Sequence, residues 1–166
     1  MTTVLGSCVS ATFFHRPSGL AAICHAMQPR CPRSLPSSAT CPAECENRYR
    51  YTVCAIEGMH RRLLQFGVQP HELEVKLFGG AALIGKNPGR ADSRSIGQLN
   101  VKAATDSLID CGLTLKVANV GGNFGRKMIF DTATGEVFMK RLKKIHTVEG
   151  ASTLADTTPV ILKRDF

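Results

Sequence analysis

Apolar residues first appear in two short runs near the start of the chain. Residues 2–14 carry Val4, Leu5, Val9, Phe13 and Phe14, and Leu20 to Met27 is apolar again. Between them His15-Arg16-Pro17-Ser18-Gly19 has the composition of a turn, so the two runs predict a β-hairpin. Residues 28–47 hold four of the eight prolines and three cysteines, which reads as loop because each proline removes a backbone donor. Val53, Ile56, Met59, Leu63 and Phe66 then recur at spacings of three and four and stop at Gly67, predicting a helix over 49–66. Glu74 to Phe78 reads as a strand ended by Gly79-Gly80, followed by polar loop over 85–95. Asn100 is expected to cap a second helix whose stripe is Val101, Ala104, Leu108 and Cys111, closed by Gly112. Strands are expected at 113–118, 127–131 and 136–142, the last two joined by Thr132-Ala133-Thr134-Gly135. Periodicity fades from His146 apart from Pro159-Val160-Ile161-Leu162, so a domain over 1–145 and a loose tail over 146–166 are expected. Strands mixed with helices in this order make an α+β domain.

Composition narrows the function classes. The 166 residues suit one domain, and 43% hydrophobic with 20% charged residues excludes wholesale disorder. No apolar run reaches the ~18 residues of a membrane-spanning helix, so no membrane insertion is expected. Seven cysteines cannot all pair with one another. With no secretory signal, the expectation is a reduced, cytoplasmic chain. Leu5-Gly6-Ser7-Cys8 imitates a lipoprotein cleavage box, but only seven uncharged residues precede Cys8, too few for a signal peptide. The net charge of +8 includes a patch at Lys140, Arg141, Lys143 and Lys144. With no tryptophan, two tyrosines and no nucleic-acid motif, the patch reads as a solvated strand end rather than a nucleic-acid surface.

Four arrangements bear on chemistry. In a hairpin with an even-numbered loop, paired positions sum to an odd number, and 8 and 25 sum to 33. Cys8 and His25 then share one sheet face, directly opposite or diagonal at about 7–8 Å. A thiol beside an imidazole meets the requirement for cysteine nucleophilic catalysis; its bland counterpart is a buried cysteine beside a core histidine. Gly80 through Gly85-Lys86-Asn87 nearly spells a phosphate-binding loop, but Asn87 replaces the magnesium-binding hydroxyl and Pro88-Gly89 blocks the helix start. Cys31, Cys41, Cys45 and Cys54 are spaced too widely for paired zinc knuckles, so no metal is expected. Gly121-Gly122-Asn123-Phe124-Gly125 lacks the order of a dinucleotide fingerprint and reads as a tight turn between strands.

Several ordered motifs together resemble one family. Thr2-Thr3-Val4-Leu5-Gly6-Ser7-Cys8-Val9-Ser10 resembles the opening of the CheD family, bacterial chemoreceptor glutamine deamidases. The likeness continues through His25-Ala26-Met27 and the helix starting near Tyr51, then Lys76-Leu77-Phe78-Gly79-Gly80-Ala81. It runs on through Ile96-Gly97 with Asn100, Val120-Gly121-Gly122 with Gly125-Arg126-Lys127, and Thr134-Gly135-Glu136-Val137, covering about 2–145. The resemblance implies a mixed β-sandwich flanked by helices, similar to the catalytic domains of bacterial deamidating toxins. It implies a Cys-His-Thr constellation in which Cys8 is the nucleophile, His25 the base and Thr2 the third member, with Thr3 as a substitute. The implied partners are chemoreceptor cytoplasmic domains and a CheC-type chemotaxis phosphatase, with no cofactor. Family members usually carry an extension before the threonine, so a first strand missing ahead of Met1 is expected. Asn119 stands where the family more often has aspartate, in a role expected to be structural, and the cysteine-rich 28–47 loop also departs from the usual insert. Two rivals predict differently. A non-catalytic adaptor for the phosphatase would be indifferent to Cys8, and an N-terminal-nucleophile hydrolase would depend on the Thr2 amine instead.

Overall fold

The computed structural model of the chain describes residues 1–32, 47–82, 95–142 and 160–162. The strands in chain order are β1 (Thr2–Leu5), β2 (Val9–His15), β3 (Leu20–Ile23), β4 (Leu73–Gly79), β5 (Leu115–Val120), β6 (Arg126–Phe130), β7 (Val137–Arg141) and β8 (Val160–Leu162). Helix α1 (Thr52–Gln65) precedes β4 and helix α2 (Ile96–Asp110) follows it. β1, β6 and β7 form a three-stranded antiparallel sheet in the order β1-β6-β7. The remaining strands form a five-stranded sheet in the order β5-β4-β2-β3-β8, mixed because β4 and β5 run parallel while the other pairs are antiparallel. The class is α+β, as the element order predicted.

The first apolar run is not one strand. It breaks at Gly6-Ser7-Cys8, and the chain passes from the small sheet into the large one. This break explains why all seven residues of β2 are buried. The odd positions Val9, Ala11 and Phe13 pack with Ile56, Met59 and Leu63 of α1 and Ala104 and Leu108 of α2. Phe14, with Ala21, Ile23 and Phe78, meets Leu5, Met128 and Phe130 of the small sheet. Three layers result: helices, large sheet, small sheet. A fully buried Phe or Leu contributes about 1.5–3 kcal/mol, so both interfaces stabilise the fold substantially. Gly135 turns β6 into β7 at φ +77°, and a Cβ there would fall 2.4 Å from the Phe14 ring, so the turn closes directly over that interface.

The hairpin forms as predicted, one step shifted. His15 pairs with Leu20 and Thr12 with Ile23, enclosing Arg16–Gly19. The His15 ring bonds Ser18 Oγ at 2.6 Å across the turn, and Ser18 Oγ accepts from the Leu20 N–H at 3.4 Å. Paired positions therefore sum to 35, a register that persists to Val9 and Ala26.

The structure differs from two sequence expectations, the cap of α2 and the start of β5. Asn100 is not a cap: α2 begins at Ile96, and Ser95 and Gln98 form a reciprocal capping box. That box supplies the N-terminal donors a partner one turn earlier, which leaves Asn100 inside the helix and fully buried. Beyond 145, Val160–Leu162 pairs with Ala21–Ile23 as an edge strand. β5 also starts two residues later than expected, because Leu113 is buried against the helices before the strand begins. Lys86 and Asn87 of the near-match to a phosphate loop, and Lys143 and Lys144 of the basic patch, lie outside the described residues.

Candidate active site

The site assembles where the chain crosses between sheets. Three successive carbonyls of the crossing are each pinned from the large-sheet side. Gly6 O accepts from Ala81 N at 2.8 Å, Cys8 O from Gly80 N at 2.7 Å, and Ser7 O from Asn100 Nδ2 at 2.9 Å. Glycine at 79 is what permits this approach: φ is +105°, and a Cβ would lie 2.2 Å from Cys8 O. The same Asn100 amide donates to Met27 O at 3.0 Å, and Thr52 Oγ1 donates to Asn100 Oδ1 at 3.4 Å. One buried amide thus ties the segment carrying Cys8 to the segment carrying His25. With the carbonyls turned inward, the N–H groups of Ser7 and Cys8 donate to no other carbonyl among the described residues.

Cys8 and His25 lie diagonally. In the observed register, position 8 falls opposite 27 and position 25 opposite 10, so the pair shares one face as diagonal neighbours. That face looks into the gap between the two sheets, and the half-buried Cys8 packs against the cluster there. Cys24 points to the opposite face, into the helix-side core, where burial pushes its thiol up to about 11. Of Cys8 and Cys24, only Cys8 shares the face of His25.

The hydroxyl that meets His25 is that of Thr3, with Oγ1 2.8 Å from Nδ1. Thr3, the alternative to Thr2 for the third position, is thus the threonine that the structure brings to the ring. In β1 alternate residues face opposite ways: Thr3 and Leu5 point toward the large sheet, whereas Thr2 and Val4 point outward. Val4 is accordingly 49% exposed and Leu5 fully buried. The Thr3–His25 bond crosses from one sheet to the other. It occupies Nδ1 and leaves Nε2 as the ring nitrogen available to a thiol or substrate.

Burial opposes charge on both partners. It raises the Cys8 thiol, partly offset by the residue's own backbone N–H, and it lowers the His25 imidazolium. Burial thus disfavours the thiolate and the imidazolium alike, which favours a neutral thiol and a neutral imidazole at rest.

Other sequence signals resolve differently. Cys31 and Cys54 pack together with Tyr51, while Cys41 and Cys45 lie outside the described residues. No cluster of three or more His, Cys, Asp or Glu side chains among the described residues could hold a metal. Gly121 and Gly122 form the tight turn expected, at φ +72° and +71°. Beside that turn Asn119 Oδ1 accepts from Arg126 Nε at 2.8 Å, and Arg126 also donates to Gly121 O and Phe124 O. Asn119 thus holds a guanidinium on a residue that is only 4% exposed.

Comparison with known proteins places this geometry in context. A family model described as CheD chemotactic sensory transduction matches residues 34–141. The chain is 41% identical over 144 residues to the probable chemoreceptor glutamine deamidase CheD 2 of Geobacter sulfurreducens, covering 87% of this chain and 81% of that one. It is 38% identical over 149 residues to the probable chemoreceptor glutamine deamidase CheD of Maridesulfovibrio salexigens, covering 87% and 83%. The probable chemoreceptor glutamine deamidase CheD 1 of Methanosarcina acetivorans is 29% identical over 141 residues.

Proposed function

This chain belongs to the CheD family, and from that premise we propose that it deamidates chemoreceptor glutamines through a thioester on Cys8. The observation that carries the mechanism is the inter-sheet bond from Thr3 to His25 Nδ1, on the face that also presents Cys8. The substrate is a glutamine side chain on the cytoplasmic part of a receptor, and the products are glutamate and ammonia.

His25 donates its Nδ1 proton to Thr3 Oγ1, which leaves the Nε2 lone pair to accept the thiol proton as sulfur attacks the carboxamide carbon. The N–H groups of Ser7 and Cys8, which donate to no carbonyl among the described residues, are the donors we assign to the tetrahedral oxyanion. Collapse breaks the C–N bond, and the departing nitrogen takes the proton from Nε2 and leaves as ammonia. Water then gives a proton to Nε2 while its oxygen attacks the thioester. The C–S bond breaks, glutamate forms, and the proton returns to sulfur. Thr3 is a positioning residue here, since it holds the ring and its tautomer as the third member of a triad does.

The test is Cys8→Ala with a receptor cytoplasmic fragment as substrate. Loss of the deamidation mass shift is expected. Deamidation at the wild-type rate would overturn the assignment and favour a nucleophile elsewhere.

A further inference from the structure

The helix layer carries a second chemically distinct feature, on the far side of the large sheet from Cys8. A cleft of about 480 Å³ opens between α1 and the 3-10 turn at Arg48–Arg50. Arg48, Arg61 and Arg62 line it, with Tyr49 and Gln65. Among the described residues no carboxylate lines the cleft and none of the three guanidiniums makes an ion pair. Glu57 feels the field of Arg61 but makes no bond to it, and burial drives that carboxyl toward its neutral form.

Two of the three guanidiniums lie over aromatic rings. Arg48 stacks on the Tyr49 ring at 4.9 Å and Arg62 on the Phe66 ring at 5.0 Å. Stacking uses the flat face of a guanidinium and leaves its edge N–H groups directed elsewhere. Arg62 spends one edge donor on Gln65 Oε1 at 2.8 Å. Gly58 sits in the middle of α1, where glycine costs about 1 kcal/mol relative to alanine. A Cβ there would come within 3.1 Å of Tyr49 Cε1, so the glycine lets the ring lie against the helix as a wall of the cleft.

We propose that this cleft binds the phosphate groups of a small anionic ligand. Three planar forks around one concavity suit the several oxygens of a phosphate, and the volume lies in the range of small-molecule sites rather than flat protein contacts. The site is separate from the deamidase reading and stands or falls without it.

Calorimetric titration of the full chain with inorganic pyrophosphate at low ionic strength tests this. Saturable one-to-one binding is expected. The double variant Arg48→Gln/Arg61→Gln should weaken it by about tenfold or more, and Arg61→Lys, which keeps the charge but loses the fork, by a smaller measurable factor. All three arginine positions lie on the outside of the fold, and melting curves verify that each variant remains folded. Lys127→Gln/Lys140→Gln removes two exposed charges from β6 and β7, outside the cleft, and should leave the affinity unchanged. Absence of saturable heat would overturn the proposal. So would an equal loss in the lysine variant, which would mean general attraction to a basic chain, or citrate binding as tightly as pyrophosphate, which would mean charge without phosphate recognition.

Discussion

Thr2 and Thr3 are adjacent and identical in type, yet one step along β1 separates a side chain at His25 from one in solvent. Replacing Thr3 with valine keeps the branched shape, suits a strand, and removes only the hydroxyl. The bond lost is a neutral one of 2.8 Å, worth about 1 kcal/mol net, and the ring also loses the partner that fixes its tautomer. Since about 1.4 kcal/mol is tenfold in rate, Thr3→Val should lower kcat/KM by roughly five- to tenfold. The loss should fall on kcat rather than KM, because a positioning residue acts on the reacting geometry and not on substrate contacts. Thr3→Ser, which restores a hydroxyl, should recover much of it. Thr2→Val should change little, because Thr2 faces outward opposite Ile129, itself 44% exposed. Mass-resolved deamidation of a receptor fragment under initial-rate conditions gives all three values. If Thr2→Val loses more than Thr3→Val, the strand does not face as described and the assignment of Thr3 fails.

Three further expectations follow from the same geometry. Because burial raises the Cys8 thiol and lowers the His25 imidazolium, kcat/KM should form a plateau through neutral pH with its acid limb below about 6.5. The ultraviolet absorbance of a thiolate that disappears in Cys8→Ala should grow in only above the ordinary thiol range; such absorbance already present at neutral pH would refute the neutral pair. Asn100→Leu strips the donor from Ser7 O and Met27 O at once, so a loss of about 2 kcal/mol in denaturant unfolding is expected together with a fall in deamidation. An unchanged midpoint would show that those carbonyls are satisfied otherwise. Asn119→Asp gives the buried Arg126 an anionic partner, and a charge-assisted bond should raise stability by about 1 kcal/mol, measured as a higher melting temperature; a lower one would contradict the pairing.

Much of the architecture was legible because its signals are local and periodic. The three-and-four spacing from Val53 to Phe66, the glycine stops at 67 and 112, and the turn at Thr132–Gly135 each depend on residues within a few positions of one another. The shared face of Cys8 and His25 was legible for the same reason: side chains alternate along a strand, so parity alone decides the face. The diagonal offset was not, because it depends on which residues close the turn, and the bonds from Ser18 to the His15 ring and the Leu20 N–H set that.

The misplacement of Asn100 shows where local reading stops. Asparagine before an apolar stripe has the chemistry of a cap, and an amide that both donates and accepts has equally the chemistry of a buried bridge. Only the arrival of Ser7 and Met27, 93 and 73 residues away in the chain, distinguishes the two. The choice between Thr2 and Thr3 is of the same kind, because a strand's periodicity states that neighbours face opposite ways but not which one faces the partner sheet. The gathering of Arg48, Arg61 and Arg62 around one cleft likewise depends on how the 3-10 turn folds back against α1. Element type and face alternation are short-range properties, written in spacing that the backbone must obey. Register offset, the hydroxyl that meets His25, the bridging amide and the arginine cleft are set by contacts between distant segments, whose energies exist only once the layers have packed.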